Sequence, residues 1–140
     1  MHPDIRIVAY TRNIQSGRFI GSNLVVAFMN RGLAYKYKGQ WEQAIADYSE
    51  AIRLMPNDAQ IFNNRGNAHY FNGQLDRAIE EYGKALHFEP YNAQAHADRG
   101  LAYEKMGEAI LALRDFKKAY ALGFRHPLLL KKLRGSGVIL

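Results

Sequence analysis

Apolar residues recur at helical spacing along most of this chain. The run Ala44, Ile45, Tyr48, Ala51 and Ile52 places apolar side chains on one face of a helix. The same pattern returns every 34 residues between positions 25 and 126. The repeated columns are Gly32, Gly66 and Gly100; Gly39, Gly73 and Gly107; Ala44, Ala78 and Ala112; Tyr48, Tyr82 and Phe116; and Ala51, Ala85 and Ala119. This period predicts three repeat units, 25–58, 59–92 and 93–126.

Each unit is predicted to form two antiparallel helices joined by a turn. Glycine in the column of Gly66 and alanine in the column of Ala78 are small where two helices approach closely. Gly73 can end the first helix as a left-handed cap residue. Pro56 stops the second helix, and Asp58 can cap the helix that follows. The sequence therefore predicts an all-α fold, a single domain built as a stack of helix-turn-helix repeats.

Opposite charges recur at two further columns of the repeat. The arginines are Arg31, Arg65 and Arg99, and the acids are Asp47, Glu81 and Asp115. Two independently solvated columns would give the same sequence, but the threefold recurrence favours one ion pair between the helices of each unit. A partly buried pair would define the helix register more than it would add stability.

The N-terminal segment, residues 4–24, is predicted to be a half repeat followed by a loop. Residues 6–14 resemble a second helix whose first helix is missing. The apolar residues Ile5, Ile7, Val8, Tyr10 and Ile14 cannot all be covered by the helix that begins near residue 22. Two alternatives remain open: a second copy of the chain covers this stripe in a homodimer, or Phe19 and Ile20 fold back from the loop and close it.

The C-terminal residues 126–134 are predicted to form a short capping helix, because Pro127 suits a first helical turn. In this helix Leu129, Leu130 and Leu133 would cover the last repeat, and Lys131, Lys132 and Arg134 would face water. Gly135, Ser136 and Gly137 are expected to form a flexible tail.

Composition and charge exclude several function classes. No apolar run approaches the roughly 18 residues of a membrane span. The absence of a signal peptide gives a cytoplasmic location as the default, and the absence of cysteine excludes disulfides and thiolate sites. The net charge of +6 lies at the two ends of the chain rather than in a continuous stripe, so no nucleic-acid partner is predicted.

The chain shows no catalytic or metal-binding pattern, so we predict that it is not an enzyme and holds no cofactor or metal. His69 and His96 fall in aromatic core columns and are interpreted as core residues rather than ligands.

The repeat motif resembles the tetratricopeptide repeat family over residues 25–126. Its residues are Gly32, Tyr35, Ala44, Tyr48, Ala51 and Pro56, with their equivalents in the later units. The resemblance implies a right-handed superhelix with a concave groove, and protein–protein interaction as the usual role. The predicted function is therefore a scaffold that binds a peptide or protein partner in the groove. The alternative is an assembly module that self-associates through its N-terminal half repeat.

The resemblance also implies which residues line the groove, since the first helix of each repeat faces inward. The residues carried over are Met29, Asn30, Leu33, Tyr37, Asn63, Asn64, Asn67, Tyr70, Phe71, Asp98 and Leu101. Asparagine amides both donate and accept hydrogen bonds, so they suit a peptide backbone of any sequence. One subset of the family grips a C-terminal carboxylate, but of its five positions, which fall here on Met29, Leu33, Asn64, Gln94 and Asp98, only Asn64 matches.

Overall fold

The computed structural model describes residues 1–140 and consists of eight α-helices without a strand. The helices are α1 (Pro3–Gln15), α2 (Gly21–Tyr37), α3 (Trp41–Leu54), α4 (Ala59–Phe71), α5 (Leu75–Phe88), α6 (Ala93–Lys105), α7 (Ala109–Ala121) and α8 (Pro127–Gly135). The all-α prediction is confirmed. α2 begins at Gly21, whereas the first predicted unit begins at residue 25. None of the eight helices combines the length and apolar character needed to cross a bilayer.

Each helix packs against the helix before it and the helix after it in the chain. The most extensive packing is within three pairs, α2 with α3, α4 with α5, and α6 with α7. α4 also contacts α6 directly, so the first helices of these two neighbouring pairs lie side by side. The buried apolar side chains form clusters that follow one another along the stack rather than one central core.

Within each pair a glycine of the first helix rests on an aromatic ring of the second. A methyl group placed on Gly32 would lie 2.7 Å from Tyr48 Cε1, and one on Gly66 would lie 2.8 Å from Tyr82 Cε1. On Gly100 the equivalent distance to the ring of Phe116 is 2.6 Å. Such distances are too short for carbon atoms in contact, so only glycine allows this separation of the two helices.

The helix ends follow the predicted signals. Gly73 has a φ of 80° and follows α4 in the left-handed conformation that glycine adopts without strain. The Asp58 side chain caps α4 by accepting hydrogen bonds from the backbone N–H groups of Gln60 and Ile61. Asn92 caps α6 in the same way. The turns between helices are therefore encoded locally in the sequence.

The predicted ion pair is present in all three helix pairs. Arg65 Nε and Nη2 donate to Glu81 Oε2 and Oε1 at 2.6 and 3.0 Å. Arg31 with Asp47 and Arg99 with Asp115 form the same two-pronged arrangement at 2.6–2.9 Å. The acids are buried, whereas the arginine side chains remain 18–19% exposed. Each pair therefore joins the two helices of its unit at a fixed register.

Two of these arginines also contact the helix that precedes their own helix pair. Arg65 Nη1 donates to Ser49 Oγ on α3 at 3.1 Å, and Arg31 Nη1 donates to Thr11 Oγ1 on α1 at 3.2 Å. The residue 34 positions after Ser49 is Gly83, which has no side chain to accept a hydrogen bond. These arginines therefore join successive helix pairs as well as the two helices of one pair.

The N-terminal helix α1 contains no buried residue. Ile14 packs against the first core cluster, but Ile5 and Val8 are 58% and 59% exposed. Ile20 in the following loop is 77% exposed, so this residue does not fold back over the apolar stripe. The uncovered part of the stripe is the face that carries Ile5 and Val8.

At the other end α8 covers the last helix pair with Leu129 and Leu133, as predicted. Two expectations were wrong. Lys132 does not extend freely into water but pairs with Glu104 on α6. The stretch from Gly135 to Gly137 is not a free tail, since Gly135 belongs to α8 and the N–H groups of Ser136 and Gly137 donate to carbonyls of that helix. Val138 then packs on the last core cluster.

The close approach of glycine and ring predicts opposite outcomes for two alanine substitutions. Gly66→Ala should destabilise the chain by about 1–3 kcal/mol, because the new methyl group overlaps the ring of Tyr82 in a packed core. Gly83→Ala is the matched control on α5, where a methyl group meets no atom within 4 Å. The higher helix propensity of alanine should there add up to about 1 kcal/mol. Urea denaturation measures both, and a stabilised Gly66→Ala chain would contradict the contact.

The ion pairs predict strong coupling between Arg65 and Glu81. Arg65→Met should cost up to about 3–5 kcal/mol, because it removes the two-pronged contact and leaves the buried Glu81 carboxylate with Lys84 alone, at 3.3 Å. Adding Glu81→Met should recover most of that loss, and the two effects should be non-additive in a double-mutant cycle. The control is Arg53→Met, which breaks an exposed pair with Glu50 and should cost about 0–1 kcal/mol. Additive effects at Arg65 and Glu81 would mean that the two side chains do not interact.

Candidate functional site

The inner face of the second and third helix pairs forms a groove of about 320 Å³. Its lining residues are Gln60, Asn63, Asn64, Asn67, Tyr70, Phe71, Tyr82, Gln94, Asp98 and Leu101. All but Tyr82 belong to α4 and α6, which lie side by side. The first helices of neighbouring units therefore supply the groove surface, and the second helix adds one aromatic hydroxyl.

The structure brings together seven of the eleven residues expected in the groove. They are Asn63, Asn64, Asn67, Tyr70, Phe71, Asp98 and Leu101. The four residues on α2, Met29, Asn30, Leu33 and Tyr37, do not line it. Met29 packs against the first core cluster instead, and Tyr37 is 65% exposed at the end of its helix. These four residues therefore lie outside this depression, and their part in partner binding stays a prediction.

Asn63 does not have the role in the groove that the sequence predicts for it. Its side chain is only 4% exposed, because α6 packs against α4 at this point. Asn63 Nδ2 donates to Asp98 Oδ2 at 3.2 Å, so the amide is already engaged across the two helices. Asn63 Oδ1 is buried and accepts no hydrogen bond. This residue forms the floor of the groove rather than a free hydrogen-bonding arm.

The other two asparagines lie nearer the surface. Asn64 Oδ1 accepts from Gln60 Nε2 at 3.0 Å, which leaves its amide nitrogen free. Asn67 Oδ1 accepts from the Tyr82 hydroxyl at 2.6 Å. Burial raises the pKa of the Tyr82 hydroxyl, and the nearby Asp98 raises it further, so this hydroxyl remains a donor. Both asparagines therefore have at least one amide N–H available to a ligand.

An aromatic rim borders the groove at the C-terminal end of α4. Phe71 stacks on Trp41 of α3 at 5.2 Å between ring centroids and meets Tyr70 edge-on at 5.2 Å. Lys105 Nζ lies 5.1 Å from the centre of the Tyr70 ring. Phe71 is 56% exposed, so the rim offers aromatic contact area beside the amides.

Asp98 is the one carboxylate in the lining of the groove. Its Oδ1 accepts from Gln94 Nε2 at 2.9 Å, and its Oδ2 accepts from Asn63. No lysine, arginine or histidine nitrogen lies within ion-pair distance of it. Burial raises the pKa of the Asp98 carboxyl, and the hydrogen bonds from Gln94 and Asn63 oppose that shift. The groove therefore contains one acid whose neighbours are neutral amides.

A second, smaller cavity of about 110 Å³ continues from the groove toward the C-terminus. Its lining residues are Gln94, Ala97, Asp98, Leu101, Phe116, Phe124, His126, Leu128, Leu129 and Lys132. Sequence reasoning missed it, because the position of α8 is not encoded in the repeat. One signal was available: Phe124 stands where the earlier units have proline, and its ring is part of the cavity wall.

The histidines in the aromatic columns are buried, as predicted. His69 Nδ1 lies 2.7 Å from Gln74 Oε1, and His96 Nε2 lies 3.0 Å from Pro90 O. Both rings are therefore satisfied inside the stack. No group of three or more histidine, aspartate or glutamate side chains comes together in a metal-binding arrangement.

Comparison with known sequences identifies the repeat. A family model described as TPR repeat matches residues 32–73 and 70–107, which together make up more than half of the chain. No curated protein matches the sequence.

Solved structures share the fold at low sequence identity. The crystal structure of MamA is 21% identical, with a TM-score of 0.80 and coverage of 94% of this chain and 77% of that chain. The TPR domain of Arabidopsis OM64 is 25% identical, with a TM-score of 0.76 and coverage of 80% and 93%. The first TPR of Spaghetti (RPAP3) bound to HSP90 peptide SRMEEVD is 18% identical, with a TM-score of 0.76 and coverage of 81% and 90%. At these identities the likeness concerns the fold, in which helix pairs stack into a right-handed superhelix.

Proposed function

Because this chain belongs to the TPR repeat family of protein-interaction modules, we propose that it is a scaffold that binds an extended segment of a partner protein in the groove between α4 and α6. The observation that carries the proposal is the composition of this surface. Free amide groups and an exposed aromatic ring lie together around one depression of about 320 Å³. Such a surface suits a peptide, because amides bind its backbone and the aromatic rim adds contact area.

The ligand is expected to differ from the peptide in the Spaghetti complex. That peptide, SRMEEVD, carries three acidic side chains and ends in a carboxylate. The Asp98 carboxylate in this groove would repel such a ligand. Gln94 falls at a position where the resemblance to the carboxylate-binding subset of the family implies a basic residue. The fold is therefore shared with that complex, but the chemistry of the binding surface is not.

The groove proposal predicts loss of partner binding on removal of two side chains. Asn64→Ala with Phe71→Ala should lower partner retention on an affinity column at least about tenfold, because it removes an amide and the rim ring from the contact surface. The melting temperature should fall by only a few degrees, since Asn64 is partly exposed and Phe71 is 56% exposed. Lysate from the source cells supplies the partner, and mass spectrometry identifies it.

The matched control is Asn57→Ala with Tyr91→Ala, which removes the same kinds of side chain from exposed positions outside the groove. This variant should retain the partner as the unmodified chain does. Retention of the partner by the groove variant at the level of the control would place the binding surface elsewhere.

A second candidate function, self-assembly, is favoured by the uncovered face of α1. Ile5 and Val8 are exposed side by side with Asp4 and Arg12 around one shallow depression. Asp4 and Arg12 each lie four residues from Val8. An antiparallel copy of the helix that crosses at Val8 would therefore place Asp4 of each chain beside Arg12 of the other. Arg12 has no ion-pair partner within its own chain, whereas Asp4 already pairs with Lys38, so the contact would give Arg12 a partner and Asp4 a second cation.

The self-assembly candidate predicts a dimer that one substitution dissociates. Multi-angle light scattering at micromolar concentration should give a dimeric mass for the full chain and a monomeric mass for Val8→Asp, because the carboxylate cannot be buried in an apolar contact. Ile110→Asp is the control, since Ile110 is 86% exposed on α7, far from α1 in the stack. A monomeric mass for the unmodified chain would remove this candidate.

A further inference from the structure

We propose that the groove selects a partner segment in which an arginine and an aliphatic residue lie two positions apart, with the arginine bound by Asp98 and the aliphatic side chain in the cavity beside α8. The inference rests on the proposed peptide-binding function and names the chemistry of the ligand. Two independent features of the structure support it, the unpaired acid and the small apolar cavity.

Asp98 is unlike the other carboxylates inside this stack. Asp47, Glu81 and Asp115 are each held by the two-pronged contact of an arginine. Asp98 is partly buried, yet its hydrogen bonds come from neutral side-chain amides such as those of Gln94 and Asn63. A partly buried carboxylate without a cation is under-stabilised, and a cation brought by a ligand would supply what is missing.

The nearby lysines do not fill this role. Lys132 pairs with Glu104, and Lys105 lies over the ring of Tyr70. Lys36 on α2 acts on Asp98 only from beyond ion-pair distance. The acid is therefore open to a basic group from outside the chain.

The geometry of a carboxylate favours arginine over lysine as the added cation. A guanidinium has five N–H donors in a planar fork that matches both oxygens of a carboxylate. Asp98 Oδ2 accepts one hydrogen bond from Asn63 and Asp98 Oδ1 accepts one from Gln94, so each oxygen keeps a lone pair for such a contact. Arginine is therefore the expected residue.

The small cavity accepts an aliphatic side chain. Its walls include Ala97, Leu101, Phe116 and Phe124, so most of its surface is apolar. Its volume of about 110 Å³ is below the roughly 150 Å³ of an apolar cavity that holds benzene. Leucine, isoleucine, valine or methionine is therefore the expected occupant, rather than phenylalanine or tryptophan.

The spacing follows from the residues that the two spaces share. Gln94, Asp98 and Leu101 line both the groove and the cavity, so the two subsites adjoin at Asp98. In an extended peptide, successive side chains point to opposite faces, and side chains two residues apart point to the same face. An arginine at Asp98 therefore places the residue two positions away at the mouth of the cavity.

A synthetic peptide tests the proposal without knowledge of the natural partner. The probe is fluorescein-Ala-Leu-Ala-Arg-Ala-Leu-Ala-amide, with the dye on the N-terminal amine, in which leucine lies two positions from arginine in both directions. Two companion peptides replace the arginine by citrulline, which is neutral and of similar shape, or by glutamate. A third replaces both leucines by phenylalanine. Fluorescence anisotropy with the full chain should give dissociation constants on the order of tenfold lower for the arginine peptide than for the citrulline peptide.

Asp98→Asn should remove the difference between arginine and citrulline. Asp76→Asn, which removes one exposed carboxylate outside the groove and the cavity, should leave it intact. The phenylalanine peptide should bind more weakly than the leucine peptide. The arginine–citrulline comparison on the unmodified chain does not depend on any variant folding correctly.

Several outcomes would overturn the proposal, and they are distinguishable from a failure of peptide binding itself. Equal affinity for the arginine and citrulline peptides, or tighter binding of the glutamate peptide, would refute selection of a basic residue. If the arginine and citrulline peptides bind with equal affinity and Asn64→Ala with Phe71→Ala weakens both, the groove function stands and only the proposed specificity is wrong. If none of the peptides binds, the specificity is wrong, and the partner-retention experiment decides the groove function separately.

Discussion

The contact between a glycine backbone and an aromatic ring determines how each helix pair is built. In every pair the ring lies where a side chain on the first helix would have to be, so the two helices can approach only at glycine. The residue before each glycine is arginine, and the residue before each ring is an acid. Because both neighbours are adjacent in sequence to the contact, closing Gly66 on Tyr82 brings Arg65 to Glu81 as well. A two-pronged ion pair and a close helix packing therefore form as one unit, each supporting the register of the other.

The features that could be predicted from the sequence are those settled within one repeat. The helix end at Gly73, the helix cap at Asp58 and the pairing of Arg65 with Glu81 each depend on residues a short distance apart in sequence. Each of these features recurs in two or three repeat units, so chance does not explain it. The groove was predictable only in part. The burial of Asn63 depends on how closely α6 lies against α4, a contact between helices of different units. The repeat period carries no information about that distance.

The packing of the C-terminal helix α8 could be predicted from the sequence only in part. The apolar residues of α8 identified it as a cap, and Leu129 and Leu133 do cover the last pair. The orientation of α8 relative to the last helix pair was not encoded in its own sequence. Neither the pairing of Lys132 with Glu104 nor the cavity beside α8 could therefore be predicted. Residues of the proposed binding surface thus come from two sources, the repeated columns and α8, which lies outside the repeat. In this proposal the repeated columns form the part of the surface that suits peptides in general, and the cavity beside α8 provides the selectivity.

The arrangement of the ion pairs has a consequence for how the chain acquires its structure. Arg31 and Asp47, Arg65 and Glu81, and Arg99 and Asp115 are each 16 residues apart. Every helix also packs mainly on its immediate neighbours in the chain. Short loops close with little loss of chain entropy, and proteins rich in such local contacts fold in microseconds to milliseconds. During synthesis, the hairpin of α2 and α3 can therefore close before α8 has been translated, because more than 70 residues separate the end of α3 from the start of α8. The order of residues in the gene is then also the order in which the superhelix grows.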